Sequence, residues 1–416
     1  HGRRHRHHSD QRGSMITAIQ HIRILDGLGG RLEQGTLMID NTRILAAGPE
    51  RAVRIPKGAR RIDGRGLTVL PGLIDCHVHF CLGAEADVVA AVEGESSSVT
   101  LLKAAEQARR TLQAGFTTVR DVGFRDHAVF ALKHAIAAGL TPGPRILAAG
   151  LAICMPGGHA RFIGREADGV EAVRAAVQDQ LNAGAEVIKV IASGGVLTPG
   201  TSPDDAQMTV EELQAAVAVA AAQGRHVAAH AHGATGMKNA LRAGVHSIEH
   251  ATLMDDEAAG MMSRQGVYMV PTLSALATTA ACPTGCGIPD SARSKAKNMV
   301  KQHEKSFRAA VRRGVPIALG TDAGTPFNHH GDNAQELERM VALGMTPMNA
   351  IMTSTSAAAR LLRLSEHIGT IEVGKQADLL FVEGNPLRTI GVLMKQERIA
   401  GVMQGGRFVA GPLSQM

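Results

Sequence analysis

Leu70-Pro-Gly-Leu-Ile-Asp-Cys-His-Val-His79 places two histidines, His77 and His79, at i and i+2 directly after an apolar run. Alternate residues of a β-strand point to the same face, so both imidazoles can reach one metal ion. Pro71 and Gly72 punctuate the start of that strand. An isolated His-x-His arises by chance on many surface strands. Here four further apolar runs each end in a residue able to bind or serve a metal. They are Glu186-Val-Ile-Lys-Val-Ile-Ala192, His226-Val-Ala-Ala-His-Ala-His232, Val245-His-Ser-Ile-Glu-His250 and Val315-Pro-Ile-Ala-Leu-Gly-Thr-Asp322. Their last ligand-type residues are Lys189, His230 or His232, His250 and Asp322.

The separations act as a ruler. Lys189 to His230 is 41 residues and His230 to His250 is 20, while His79 to Lys189 is 110 and His250 to Asp322 is 72. The two long gaps hold three and two strand–helix units, which puts the ligands on the first, fourth, fifth, sixth and eighth strands of an eightfold β/α alternation. A TIM barrel gathers its active site at the C-terminal ends of such strands. Strand-like runs at 117–121, 145–150 and 267–271 supply the second, third and seventh strands. Ala-rich stretches with helical spacing, 98–114, 170–183, 210–223 and 291–313, lie between them, several closing on a Gly as helix C-caps do. Thr209 with Glu212 reads as a capping box.

The flanks read differently. Residues 16–70 hold short β-type runs broken by Gly and Asp turns, and the same grammar returns after Ile368. The expectation is an α/β protein: a (β/α)8 barrel over 71–367, with a small β-sandwich domain built from 15–70 and 368–416. Residues 1–14 read as a tag remnant with Met15 the natural start. Setting aside their four Arg and one Asp lowers the net charge from +6 to +3. That is too small and scattered for a nucleic-acid or membrane surface. One Tyr and no Trp leave no platform for stacking bases. No apolar run approaches a membrane span, and five scattered cysteines do not make a disulfide framework. Cys76 and Cys154 read as buried thiols, and Cys282 and Cys286 as a plain Pro/Gly loop. The reading is a cytoplasmic protein without nucleic-acid or membrane partners.

With these residues placed, the chain resembles the amidohydrolase superfamily over nearly its whole length after the first fourteen residues. Three motifs carry the match: Leu70–His79 as quoted, Gly320-Thr-Asp322, and Gly369-Thr-Ile-Glu-Val-Gly-Lys-Gln-Ala-Asp-Leu379. Within the superfamily it is most similar to the prolidase-type and N-acyl-amino-acid branch, formerly grouped as imidazolonepropionase-like. Val187-Ile-Lys-Val-Ile-Ala-Ser-Gly-Gly195, Ala228-Ala-His-Ala-His-Gly233 and Ser247-Ile-Glu-His250 are the signals for that branch. Its members cleave Xaa-Pro or other dipeptides, and some cleave the aryl amide of ochratoxin.

The resemblance implies two metal ions, usually zinc, with manganese or cobalt as alternatives. His77, His79 and Asp322 would hold the more buried ion, His230 and His250 the more exposed one, and Lys189 would bridge them as a carbamate. A hydroxide shared by the two ions would attack the amide carbonyl, and Asp322 would move its proton to the leaving nitrogen. His159, in Met155-Pro-Gly-Gly-His159, and His232 resemble substrate binders of the branch. Many relatives carry a Tyr at the position of His232. The implied partner is a small amide or dipeptide substrate, and assembly into a homo-oligomer is expected.

Alternatives stand beside these readings. Lys189 is either a carbamate or an ammonium paired with Asp322, which would leave one metal. The choice of His230 over His232 as ligand rests on the resemblance. His246 shares the parity of His250 and reads as a structural, inward residue deeper in the barrel. His329-His330 either lines the pocket or is solvated. His21, His127, His134, His226, His303 and His367 read as surface or core. Arg125 or Arg161 could bind a substrate carboxylate or be surface charge. The competing functions are a one-metal cyclic amidase or deaminase and a non-catalytic scaffold that has shed ligands. The complete six-residue set disfavours the scaffold, and Lys189 disfavours the one-metal enzymes.

Overall fold

The computed structural model describes residues 16–415. The stretch 1–14, read as a tag remnant, and Met15 lie outside the described residues. The chain opens with β1 (Ile16–Leu25), β2 (Arg31–Asp40), β3 (Arg43–Pro49), β4 (Arg60–Asp63) and β5 (Leu67–Pro71). Parallel strands follow: β6 (Leu73–Val78), β7 (Phe116–Asp121), β8 (Arg145–Ala148), β9 (Ala152–Cys154), β10 (Gly164–Glu166), β11 (Val187–Ile191), β12 (His226–Gly233), β13 (Ser247–Leu253) and β14 (Tyr268–Val270). The chain then returns to the first sheet with β15 (Leu379–Glu383), β16 (Ile399–Gln404) and β17 (Arg407–Ala410).

The parallel strands agree with the eightfold alternation. They run β6-β7-β8 in one sheet and β10-β9-β11-β12-β13-β14 in another. The eighth segment, expected from Val315 to Asp322, is not a continuous strand. It joins its neighbours by a parallel bridge between Met269 and Ile317 and another between Val78 and Ala323. Backbone hydrogen bonds from Cys76 to Leu319 and from Asp322 to His77 add to these. On the far side, β9 pairs with β11, and the Glu186 amide donates to the Ala148 carbonyl. The expected third strand is split into β8 and β9, with Gly150 at φ 73 between them.

Helices cover these strands much as their spacing predicts. The helices Ser97–Gln113, Val170–Ala183, Val210–Ala222 and Asp290–Arg312 fall within a residue of the expected bounds. Thr209 and Glu212 form the anticipated capping box. Gly184 and Gly244 take the left-handed C-cap conformation, at φ 109 and 88, which glycine adopts without a Cβ clash. Strand β12 is buried along nearly all its length, as parallel strands between two layers must be. Its Ala228, Ala229 and Ala231 are fully buried, and such small side chains leave room for the imidazoles beside them.

The flanking strands from both termini join into one hydrogen-bonded path, β17-β16-β15-β5-β1-β2-β3 with β4 paired to β1. Register shifts at Ile19, Ile22 and Ile24 in β1 bend the strand. One core therefore collects residues from both termini, including Ile19, Leu37, Phe381 and Met403. The pair Cys282–Cys286, read as a plain loop, is joined by a disulfide.

The two sheets meet at Gly72, between β5 and β6. A Cβ there would lie 2.2 Å from Thr117 Oγ1 and 2.6 Å from its Cγ2. Gly72→Ala should therefore destabilise the protein by about 1–3 kcal/mol, as overpacking does. A lower denaturant midpoint for Gly72→Ala, partly restored by adding Thr117→Ala, is the expected result.

Candidate metal and substrate site

The ligand-type residues arrive at one end of the parallel strands. His77 and His79 come from β6 and the turn after it, Lys189 from β11, His230 and His232 from β12, and His250 from β13. Asp322 ends the eighth segment. One cavity is lined by all seven together with His159. Two groups gather tightest: ligand atoms of His230, His232 and His250 lie within 4.8 Å of one another, as do those of His77, His250 and Asp322. Asp322 Oδ1 sits 3.4 Å from His77 Nε2 and 3.3 Å from His79 Nε2.

The backbone is strained where it delivers these groups. His250, Ala251, Thr272 and Asp322 have φ of 72, 51, 51 and 58. Non-glycine residues pay about 1–3 kcal/mol for such conformations and hold them only under surrounding restraint. His303 Nε2 donates to the His250 carbonyl at 3.0 Å, and Ser306 Oγ to the Thr252 carbonyl at 2.8 Å. Both come from the helix Asp290–Arg312, which clamps the end of β13. His303, expected to be surface or core, thus lies against the site and lines the cavity.

The positive φ at His250 also breaks strand alternation. Ser247 and Glu249 have the opposite parity to His250, yet both turn to the buried Arg120. Arg120 donates to Ser247 Oγ at 3.2 Å and to Glu249 Oε1 at 2.8 Å. The parity argument that turned His246 inward fails for this reason. His246 is half-buried and stacked on His226 at 3.7 Å, outside the cavity.

The partner of each imidazole fixes its tautomer, because carbonyls and carboxylates only accept. His77 Nδ1 faces Glu249 Oε2 at 2.8 Å, and His79 Nδ1 faces the Gly123 carbonyl at 2.8 Å. Both Nδ1 atoms carry a proton, so Nε2, which faces Asp322, is the nitrogen left bare when the ring is neutral. His250 Nδ1 lies 2.7 Å from Thr272 Oγ1, whose own proton goes to the Pro271 carbonyl. That hydroxyl must therefore accept, so His250 Nε2 is bare as well. His230 is reversed: its Nε2 faces the Gly194 carbonyl at 3.2 Å, so Nδ1 is the bare nitrogen. Four lone pairs and the Asp322 carboxylate thus share one cavity. This all-acceptor set fits a divalent cation.

His232 and His159 differ. Their Nδ1 atoms meet the hydroxyls of Thr252 at 2.8 Å and Thr198 at 2.9 Å. A hydroxyl can donate or accept, so these rings keep the freedom to present an N–H to a ligand. Burial lowers the pKa of His230, His232 and His250, and takes His159 down to about 3. All four are neutral near pH 7. Burial also pushes Lys189 down to about 8, against the pull of Glu249 and Asp322. Burial would raise Asp322, yet His77 and His79 hold it well below the usual carboxylate range.

Several supporting residues carry no spacing signal. Asp75, inside the opening motif, accepts from the amides of His77 and Thr321 and from the Thr321 hydroxyl, so it ties β6 to the segment bearing Asp322. Glu249 stands directly before a ligand inside an apolar strand, an acidic residue that could have been noticed there. Burial would raise its pKa, but Arg120 and His77 bring it to about 2. Glu336 accepts from the amides of Leu273 and Ser274 and so caps the helix Leu273–Ala281, one wall of the cavity.

Other expectations resolve plainly. Lys189 has no carboxylate within 4.0 Å among the described residues, so the pair with Asp322 is not formed. Arg161 is exposed, and Arg125 donates to the carbonyls of Val92 and Glu95; neither lines the cavity. His330 is buried, its Nε2 shared between the carbonyls of His79 and Leu82. Cys76 and Cys154 are buried free thiols, as read. No helix among the described residues is long and apolar enough to cross a membrane.

Comparison with known proteins gives the family of the chain. The model of the amidohydrolase family matches residues 68–409. Ochratoxinase from Aspergillus niger is 32% identical over 435 aligned residues, covering 95% of this chain and 87% of its own. The crystal structure of a Xaa-Pro dipeptidase with methionine bound in its active site is similar at a TM-score of 0.89 and 38% identity, over 95% of this chain and 100% of that one. A prolidase complexed with N-methylphosphonate-L-proline gives a TM-score of 0.88 and 32% identity, over 95% and 99%.

Glu249→Gln keeps the shape of the side chain while removing the anion between His77 and Arg120. Metal affinity should fall about 10–100-fold, read by competition with a chromogenic chelator. Because folding lowers this carboxyl from 4.5 to about 2, its stabilisation is complete above pH 4.5 and fades towards pH 2. The stability gap between wild type and variant should narrow over that window in urea titrations.

Proposed function

Because the chain belongs to the amidohydrolase family and is a hydrolase of C–N bonds, we propose that it cleaves the amide of an N-acyl amino acid, an aryl amide of the ochratoxin type, or an Xaa-Pro dipeptide. The observation that carries this reading is the meeting of four bare imidazole nitrogens and the Asp322 carboxylate in one apolar-walled cavity. We assign 71–367 to a closed, catalytic (β/α)8 barrel and 15–70 with 368–416 to the second domain.

His77, His79 and Asp322 would hold one divalent ion, and His230 and His250 a second. Lys189 serves between them only after modification, since an ammonium offers three donors and no acceptor. The neutral amine, accessible with a pKa of about 8, adds to CO2. A C–N bond forms, a proton leaves, and an anionic carbamate oxygen results. Zinc is the expected metal, with manganese or cobalt suited to the same ligands. Bound there, the ions supply Lewis acidity and lower the pKa of water.

The side chains do the rest. Asp322 is the carboxylate lining the cavity; it takes the proton of the attacking water and gives it to the amide nitrogen, which leaves as an amine. In this reading His159 donates from Nε2. Thr198 Oγ1 already accepts from the Ala160 amide at 3.2 Å, and its own proton can go to His159 Nδ1. An N–H so aimed stabilises the oxyanion that develops on the carbonyl, and His232 offers a second donor. Leu82, Val122, Phe162, Ile163 and Leu276 wall the cavity, and Lys189 is the one Lys or Arg among its lining residues. That lining favours an apolar or aromatic group beside the scissile bond over a charged one.

Metal content and turnover test this together. Protein purified without chelator should carry two zinc per chain and Lys189→Ala one or none, while N-acyl-phenylalanine, ochratoxin A and Xaa-Pro substrates are screened for hydrolysis. One zinc, unaffected by Lys189→Ala, together with turnover of cyclic imidazolones alone, would contradict the proposal. His159→Ala should lower kcat by about 10²–10³-fold without loss of metal.

A further inference from the structure

Lys295 projects from the helix Asp290–Arg312, and its ammonium donates to three backbone carbonyls: Gly195 at 3.1 Å, Thr198 at 3.1 Å and Thr201 at 2.7 Å. An ammonium has three N–H donors, so all of them are used. No carboxylate lies within 4.0 Å of Lys295 among the described residues. All three oxygens belong to the turn that follows β11. Within that turn the other bonds among these residues all pass through one hydroxyl: Thr201 Oγ1 reaches the Thr198 carbonyl at 3.1 Å and the Gly195 carbonyl at 3.4 Å, and meets the Gly195 amide at 3.4 Å. The turn is thus closed around a cation supplied from about a hundred residues away.

The turn matters because of what it carries. Val196 and Leu197 line the cavity, and Val196 packs with Leu276, Ala292 and Ala296. Thr198 holds His159 Nδ1 at 2.9 Å. Gly195 lies so close to the His159 ring that a Cβ there would stand 2.2 Å from Nε2. Any spreading of the turn moves the wall and the imidazole together.

We propose that Lys295 is a positioning residue whose ammonium, caged by the carbonyls of Gly195, Thr198 and Thr201, sets the shape of one cavity wall and, through Thr198, the orientation of His159. The activity readout rests on the hydrolase reading above; the cage itself does not. Converging carbonyl oxygens also bind free monovalent cations, so removing the side chain leaves an oxygen-lined space that ammonium or potassium can enter.

Two measurements decide the proposal. In the first, Lys295→Ala is melted with and without about 50 mM ammonium chloride, against tetramethylammonium chloride as a control that cannot donate a hydrogen bond. Ammonium should raise the Tm of the variant and leave the wild type unmoved, and tetramethylammonium should do neither. This result does not depend on any substrate. Identical responses of variant and wild type would overturn the cage. In the second, Lys295→Met, which keeps the apolar stem, should lose about tenfold in kcat/KM at unchanged metal content, yet lose under about threefold in a His159→Ala background, because coupled residues are not additive. Equal losses in both backgrounds would overturn the route through His159, and unchanged kcat/KM would overturn the positioning role.

Discussion

Four imidazoles packed into one cavity can present either donors or acceptors to its centre, and the choice is made by what stands behind them. A carboxylate, two carbonyls and a hydroxyl already committed to another carbonyl take the outer proton of His77, His79, His230 and His250. The inner nitrogens are left bare beside a carboxylate. Without a metal ion only protons on Nε2 of His77 or His79 can answer the Asp322 carboxylate, and much of the surrounding structure serves to hold these groups together. Arg120 neutralises Glu249 behind His77, and Asp75 ties the strand of His77 to the segment of Asp322.

The same logic explains where the chain accepts strain. Left-handed backbone at His250, Thr272 and Asp322 brings side chains inward that regular strands would send elsewhere, and it lets Glu249 and His250 serve the same interior in sequence. His303 and Ser306 hold that geometry from the covering helix. The helix that bears them also sends Lys295 to the turn after β11, so one long helix braces both sides of the cavity. The alanines of β12 make the crowding of His230 and His232 sterically possible.

Much of this was legible in advance because it is periodic or local. The i, i+2 spacing of His77 and His79, the twenty-residue ruler and the capping box at Thr209 each depend on a few neighbouring residues. What escaped depends on long-range packing. Glu249, Arg120 and His303 acquire roles only when elements far apart in sequence are brought together. Parity misplaced His246 because a single positive φ resets the alternation. The order in which the flanking strands pair was not legible, because short strands with Gly turns do not say which neighbours they take. Cys282 and Cys286 likewise gave no sign of pairing, since a spacing of four fits a free loop equally well.

The central claim is that the partners behind the histidines set their tautomers. Nitrogen-15 NMR of the histidine side chains in metal-stripped protein reads this directly. Neutral His77, His79 and His250 should appear as Nδ1–H tautomers and His230 as Nε2–H. A neutral His230 protonated at Nδ1, or any of the other three in neutral form protonated at Nε2, would place a donor where a bare nitrogen is required and show that the backing partners do not set the tautomers.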